Sequence, residues 1–229
     1  MAVRETTETS PRRGGALTTY VGVLLDPLRA FAALESRPTW GWAFVLSALL
    51  IAAAGMLASP AQDHIQQVRP TPLMTVLLKN LAFGPVDALI SCLFVSAVLF
   101  VSSVLSKRRV SFVYAWALAC NCCLILGIAA AVNGYMIAAR GYDAATTRGD
   151  LFVLPSLKFL VSAGSPILRA VLYSYNAFNI WYDVLLTVGF VYVFHVSNRQ
   201  AIVTVVAITI IGAIVAGTLT AVQTGLIRL

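Results

Sequence analysis

From about residue 40 onward the chain is a succession of long apolar runs separated by short polar breaks. A run of about 20 such residues, rising about 1.5 Å each as a helix, is long enough to cross a bilayer's hydrocarbon core. Five spans are predicted, at residues 40–58, 85–105, 111–138, 177–196 and 202–222. Ser59-Pro60 reads as a stop for the first. Pro85 reads as the opening of the second, because proline suits a first turn where its missing N–H is not needed. The basic turn Ser106-Lys107-Arg108-Arg109 leads almost directly into the third span.

The remaining segments are too polar or too short to cross. Residues 1–15 form a polar tail expected to be disordered. In residues 16–36, Leu17, Tyr20, Val21, Leu24, Leu28, Phe31 and Leu34 recur at spacings of three and four, an amphipathic helical pattern. Asp26 and Pro27 predict an N-cap and first residue of a short helix ending near Glu35. This region is expected to lie in the cytoplasmic interface, with docking of a partner as the alternative. The longest connection, Arg140 to Tyr175, is polar at first and apolar later, and Ser165-Pro166 predicts a short interfacial helix over Pro166–Tyr173. Residues 37–229 are thus read as one five-span bundle.

The fourth span carries the most distinctive residues. Asn176 suits its cap, Trp181 and Tyr182 suit the headgroup boundary, and Asn198 with Arg199 end it in water. Phe178, Ile180 and Trp181 followed by Leu185, Leu186 and Gly189 resemble the F-x-I-W…L…G signature of the Yip family (Ypt-interacting-protein) of membrane proteins. Pro27, Phe31 and Pro38 resemble that family's P…F…P approach to its first span, and the run from Pro155-Ser156-Leu157 to Pro166 is similar to its bacterial members. The resemblance implies five spans. For eukaryotic relatives it implies association with Rab-type GTPases and traffic between endoplasmic reticulum and Golgi; for bacterial ones it implies a plasma-membrane protein assisting envelope transport. Alanine-rich spans and a short tail favour the bacterial setting. Asn176 stands where an acidic residue often precedes the signature, which still leaves a helix cap but removes a negative charge.

Composition agrees with the pattern: 59% of residues are hydrophobic and 11% charged, where about a quarter are charged in a soluble domain. The net charge of +7 comes from basic residues at segment ends, a sign of membrane topology and not of a nucleic-acid stripe. The short basic turns place the N-terminus in the cytoplasm and, with five spans, the C-terminus outside. No secretory signal peptide is expected, since about forty residues precede the first apolar run. Cys92, Cys120, Cys122 and Cys123 lie inside apolar runs as small fillers. No metal and no cofactor is predicted.

Polar residues within the spans are the candidate sites. Asp87, two residues past Pro85, reads either as a first-turn carboxylate favoured by the helix dipole or as a functional group. Asp183, about 9 Å into its span, reads either as a boundary residue or as a partnered polar site. Asn121 and Asn133 are expected to hydrogen-bond to other helices, and a contact between Asn133 and Asp87 is open. Gly212 with Ala216 and Ala213 with Gly217 suggest close helix packing within the monomer, a homo-oligomer being the alternative. His195 is expected at the interface. Enzyme motifs are missing. The reading is an all-α polytopic, non-enzymatic adaptor or scaffold that contacts the lipid bilayer and a membrane-protein partner. The alternative is a small transporter or permease subunit with a polar path through Asp183 and Asp87.

Overall fold

A computed structural model describes residues 22, 23, 25–108, 110–157, 172 and 175–223, with side chains up to 215 except at 148. The polar tail and the expected helix over residues 166–173 fall largely outside the described residues. Among the described residues these α-helices follow one another: α1 (Pro27–Ser36), α2 (Gly41–Ile65), α3 (Leu73–Leu105), α4 (Phe112–Arg140), α5 (Ala177–Phe194) and α6 (Asn198–Gln223). Between α4 and α5 the described residues include 3₁₀ turns at Tyr142–Ala144 and Arg148–Leu151. Five of the helices, α2 to α6, are long and apolar enough to cross a membrane. The protein is therefore all-helical among the described residues, as the apolar runs predict.

The five run alternately up and down. One end, here the near end, carries α1, the Lys107 turn and His195; the other, the far end, carries the α2–α3 and α4–α5 connections. Helix α4 is the central one. Of its most apolar stretch 67% is buried, against 22% in α2 and 22% in α6. Its small residues explain this position: Ala115, Ala117, Ala119, Cys120, Cys122 and Cys123 are all buried and let neighbouring backbones come close. The four thiols are free and buried.

Two prolines behave differently from the prediction. Pro60 lies inside α2, which continues to Ile65, and Pro85 lies inside α3, which begins at Leu73. Pro72 is the N-cap of α3. A proline costs one intrahelical hydrogen bond and crowds the preceding turn, yet membrane helices tolerate it where neighbours pack on the bend. At Pro85 they do: a methyl built on adjacent Gly84 would stand 2.9 Å from the Ala48 carbonyl oxygen and 3.0 Å from Ala52 Cβ. The turn before α3 is fastened by Asp63, which accepts from the Thr71 N–H at 2.8 Å and its hydroxyl at 3.1 Å.

Helix α1 begins as predicted, with Asp26 as N-cap accepting from Arg29 N–H at 3.4 Å and Pro27 in the first turn. Its apolar face is divided, for Leu28 stays exposed. Ala30, Phe31 and Leu34 are buried against the bundle's own α5. Fully burying a phenylalanine side chain such as Phe31 is worth about 1.5–3 kcal/mol. His195 caps α5 in a left-handed conformation (φ 51°), and its Nε2 lies 3.0 Å from Glu35 Oε1, tying α5 back to α1.

Candidate functional site

The cap of α5 sets the site. Asn176 Oδ1 accepts from the N–H groups of Phe178 and Asn179, and Asn179 Oδ1 accepts in return from Asn176 N–H at 3.2 Å. This reciprocal box satisfies donors that the first turn would otherwise leave open. Just before it, Ser156 and Asn176 form an antiparallel bridge, and Leu157 N–H donates to Tyr175 carbonyl at 3.1 Å. Tyr175 is thereby held over the first turns of α5. Its hydroxyl donates to Asp183 Oδ2.

Asp183 has a second partner, for Thr209 Oγ1 of α6 donates to its Oδ1 at 3.0 Å. Each carboxylate oxygen thus accepts one hydroxyl, from different segments of the chain. Asp183 therefore has hydroxyl partners on both oxygens, whatever its depth in the bilayer. Neither Tyr175 nor Thr209 stands out in the sequence, because both partnerships depend on tertiary placement. Thr187, one turn on, returns its hydroxyl to the Asp183 carbonyl at 2.7 Å and adds nothing to the site.

Beside Asp183 a cavity of about 320 Å³ opens between α3, α4, α5 and α6. Asp183, Tyr175, Asn179 and Thr209 form its polar side, while Phe94, Val95, Leu126 and Ile208 are among its apolar walls. A second groove of about 510 Å³ runs between α5 and α6 and shares Tyr175, Asp183 and Thr209. Toward the near end the space closes on the buried cluster of Leu99, Leu118, Leu185, Leu186 and Phe190.

Asp87 is elsewhere. It lies 14 residues into α3, one helix position beyond exposed Val86 and four from exposed Phe83, and lines neither space. The first-turn reading is overturned, because α3 starts at Leu73 and not at Pro85. Its side chain is exposed on an apolar helix face, and no hydrogen bond or ion pair reaches it among the described residues.

The asparagines hold chain segments instead of helices. Asn121 Nδ2 donates to Thr39 carbonyl at 2.8 Å, fixing the approach to α2, and to Ala117 carbonyl in its own helix. Asn133 donates to Leu151 carbonyl at 2.7 Å and accepts from Val153 and Leu154 N–H at 2.9 and 3.2 Å. All of its contacts go to the α4–α5 connection, so the contact with Asp87 is not made. Among the described residues nothing lies within 4 Å of a Cβ position at Gly212. The Ala216 and Gly217 side chains lie outside the described residues.

Gly189 explains the signature. A methyl built there would collide with Leu118 Cδ1 and stand 3.1 Å from the Phe31 ring. The two motif fragments, one before the first span and one in the fourth, therefore meet at a single contact. Phe178 packs partly against the same cluster, whereas Ile180 and Trp181 face outward. The family model of the Yip1 domain matches residues 21–219. The chain belongs to the Yip1 domain family. No curated protein and no solved structure matches it. The Yip1 domain here is an integral, multi-pass helical bundle whose apolar outer faces contact lipid.

Proposed function

We propose that this Yip1-domain protein is a non-enzymatic adaptor or scaffold for membrane traffic or envelope transport, and that it holds another membrane protein through the α3 face around Asp87. The observation that carries this reading is the carboxyl of Asp87, which has no hydrogen-bond or ion-pair partner among the described residues and is flanked by exposed Phe83, Val86 and Ile90. A carboxylate in the middle of a span costs about 2.5–3.5 kcal/mol on insertion scales. A neighbouring helix with a basic or hydrogen-bond-donating side chain offsets that cost, and such residues are rarely kept without use. The protein then works with its N-terminus in the cytoplasm, in a bacterial plasma membrane or, in a eukaryote, in the Golgi or endoplasmic reticulum.

The permease alternative draws on the cavity at Asp183. It has less support, since Asp87 lies off that cavity and the near half is closed by packed side chains. A photo-crosslinking residue at Ile90, in native membranes, tests the adaptor reading. One discrete adduct with another membrane protein, lost in Asp87→Leu, is expected. A self-adduct would assign the face to a homo-oligomer, and no adduct with a lone monomer in mild detergent would contradict the proposal.

A further inference from the structure

The space beside Asp183 has a chemistry of its own, independent of the α3 face. Its walls combine one carboxyl with a mostly apolar interior, and among the described residues no Lys, Arg or His lines it. Two hydroxyls, from Tyr175 and Thr209, donate to the carboxyl, but neither carries a charge to oppose it. A volume of about 320 Å³ falls at the lower end of the roughly 300–1,000 Å³ of small-molecule sites. That suits one alkyl chain better than two.

The cavity is also reachable from the side. Helices α3 and α6 are fastened at the near end, where Ser102 and Thr204 hydroxyls lie 2.7 Å apart and Gln200 Nε2 donates to Ser102 carbonyl at 3.0 Å. Two turns further along α6, Gly212 lines the cavity, and among the described residues no atom lies within 4 Å of a side chain placed there. An amphiphile in the bilayer can therefore enter between α3 and α6 without crossing water.

We propose that this cavity binds a single-chain amphiphile with a primary ammonium head, the ammonium meeting Asp183 and the alkyl chain lying against Val95, Leu126 and Ile208. The carboxylate supplies the charge-assisted hydrogen bond that such a head requires in a low-dielectric site. The apolar walls supply the chain's burial. The shared groove between α5 and α6 is walled by exposed Ile180, Val184, Val206 and Ile210 and is not the chain's seat.

The test uses the full-length protein in phosphatidylcholine nanodiscs, with hexadecylamine and hexadecanol as probes. Saturable binding of the amine is expected, at least tenfold tighter than that of the alcohol. Asp183→Asn should erase that preference and leave the alcohol unchanged. Gly212→Leu, which fills open space, should weaken both probes, whereas Val184→Trp in the other groove should leave both unchanged. Each variant is compared at an unfolding midpoint equal to that of the parent chain. Equal affinity for amine and alcohol, an Asp183→Asn variant that keeps the preference, or loss of binding in Val184→Trp instead of Gly212→Leu would each overturn the assignment. So would a cavity that takes up water only. Replacing part of the phosphatidylcholine with phosphatidylethanolamine should not compete with the amine; competition would show that a two-chained lipid is the occupant.

Discussion

The near and far halves of the bundle are built from the same apolar alphabet and use it differently. In the near half, Phe31, Leu99, Leu118, Leu186, Phe190 and Phe194 are almost completely buried, and the Phe190 and Phe194 rings lie 5.0 Å apart, tilted at 59°. Gly189 is there to let Phe31 and Leu118 close up. In the far half the described residues leave a cavity, a glycine with no neighbour at its Cβ position and a carboxyl held by two hydroxyls. Packing without voids fixes a structure and leaves nothing for a ligand to fill. The contrast assigns stability to the signature residues and binding to residues outside the signature.

The largest effect expected from breaking this contrast is in the near half. Phe31→Ala removes the side chain shared by α1, α4 and α5, and a Phe-to-Ala change in a core costs about 3–5 kcal/mol. The midpoint of unfolding in detergent should fall accordingly, while amine binding per folded molecule stays the same. A midpoint unchanged by Phe31→Ala would mean that α1 is not part of the core.

Next comes the strap over the far end. Asn133→Leu leaves the Leu151 carbonyl and the Val153 and Leu154 N–H groups without their partner, each worth about 1–3 kcal/mol when unsatisfied. Faster hydrogen exchange at Val153 and Leu154, with exchange in α4 near Leu118 unaltered, is the expected pattern. Uniform acceleration across both halves would show that they do not open separately.

A smaller effect belongs to the fastening of α3 to α6. Replacing Ser102 and Thr204 by Ala and Val, singly and together, should give a coupling of about 0.6 kcal/mol, the usual size of such bonds between membrane helices. A coupling of zero would remove the near-end fastening from the account.

The smallest concerns the 3₁₀ turn at Thr147. The Asp150 carboxyl is held down at about 2, first by the Thr147 N–H at 2.7 Å, then by its hydroxyl and by Thr146. A depressed carboxyl stabilises the turn above its ordinary value near 3.8, and the contribution is lost as pH falls from there through about 2. Protection of the Thr146 and Thr147 amides, relative to their intrinsic exchange at each pH, should fall over that window, and in Asp150→Asn this pH-dependent loss of protection should vanish.

How much of this was legible beforehand divides along the same line. Span number, the Asp26-Pro27 start of α1 and the Asn176 cap all rest on local signals, and the structure has each of them. Helix ends at Pro60 and Pro85 misled, because a proline's local cost can be outweighed by the packing of neighbouring helices, as at Gly84. Asp183 stood out as a charge in a span, yet its partners Tyr175 and Thr209 did not, since a hydroxyl in an apolar run has no distinctive spacing. The docking of α1 on α5 was hidden for a similar reason: an amphipathic face states that it will be covered, not by what.

The most direct test of the division into a closed half and an open one is thiol labelling of Gly212→Cys in lipid vesicles by a small methanethiosulfonate reagent, with sites located by mass spectrometry. Native Cys122, buried in the near-half cluster, serves as the internal reference. The account predicts that Cys at position 212 is modified while Cys122 is spared, and that hexadecylamine protects position 212. Equal labelling at both positions, or a Gly212→Cys chain that is inert, would contradict it.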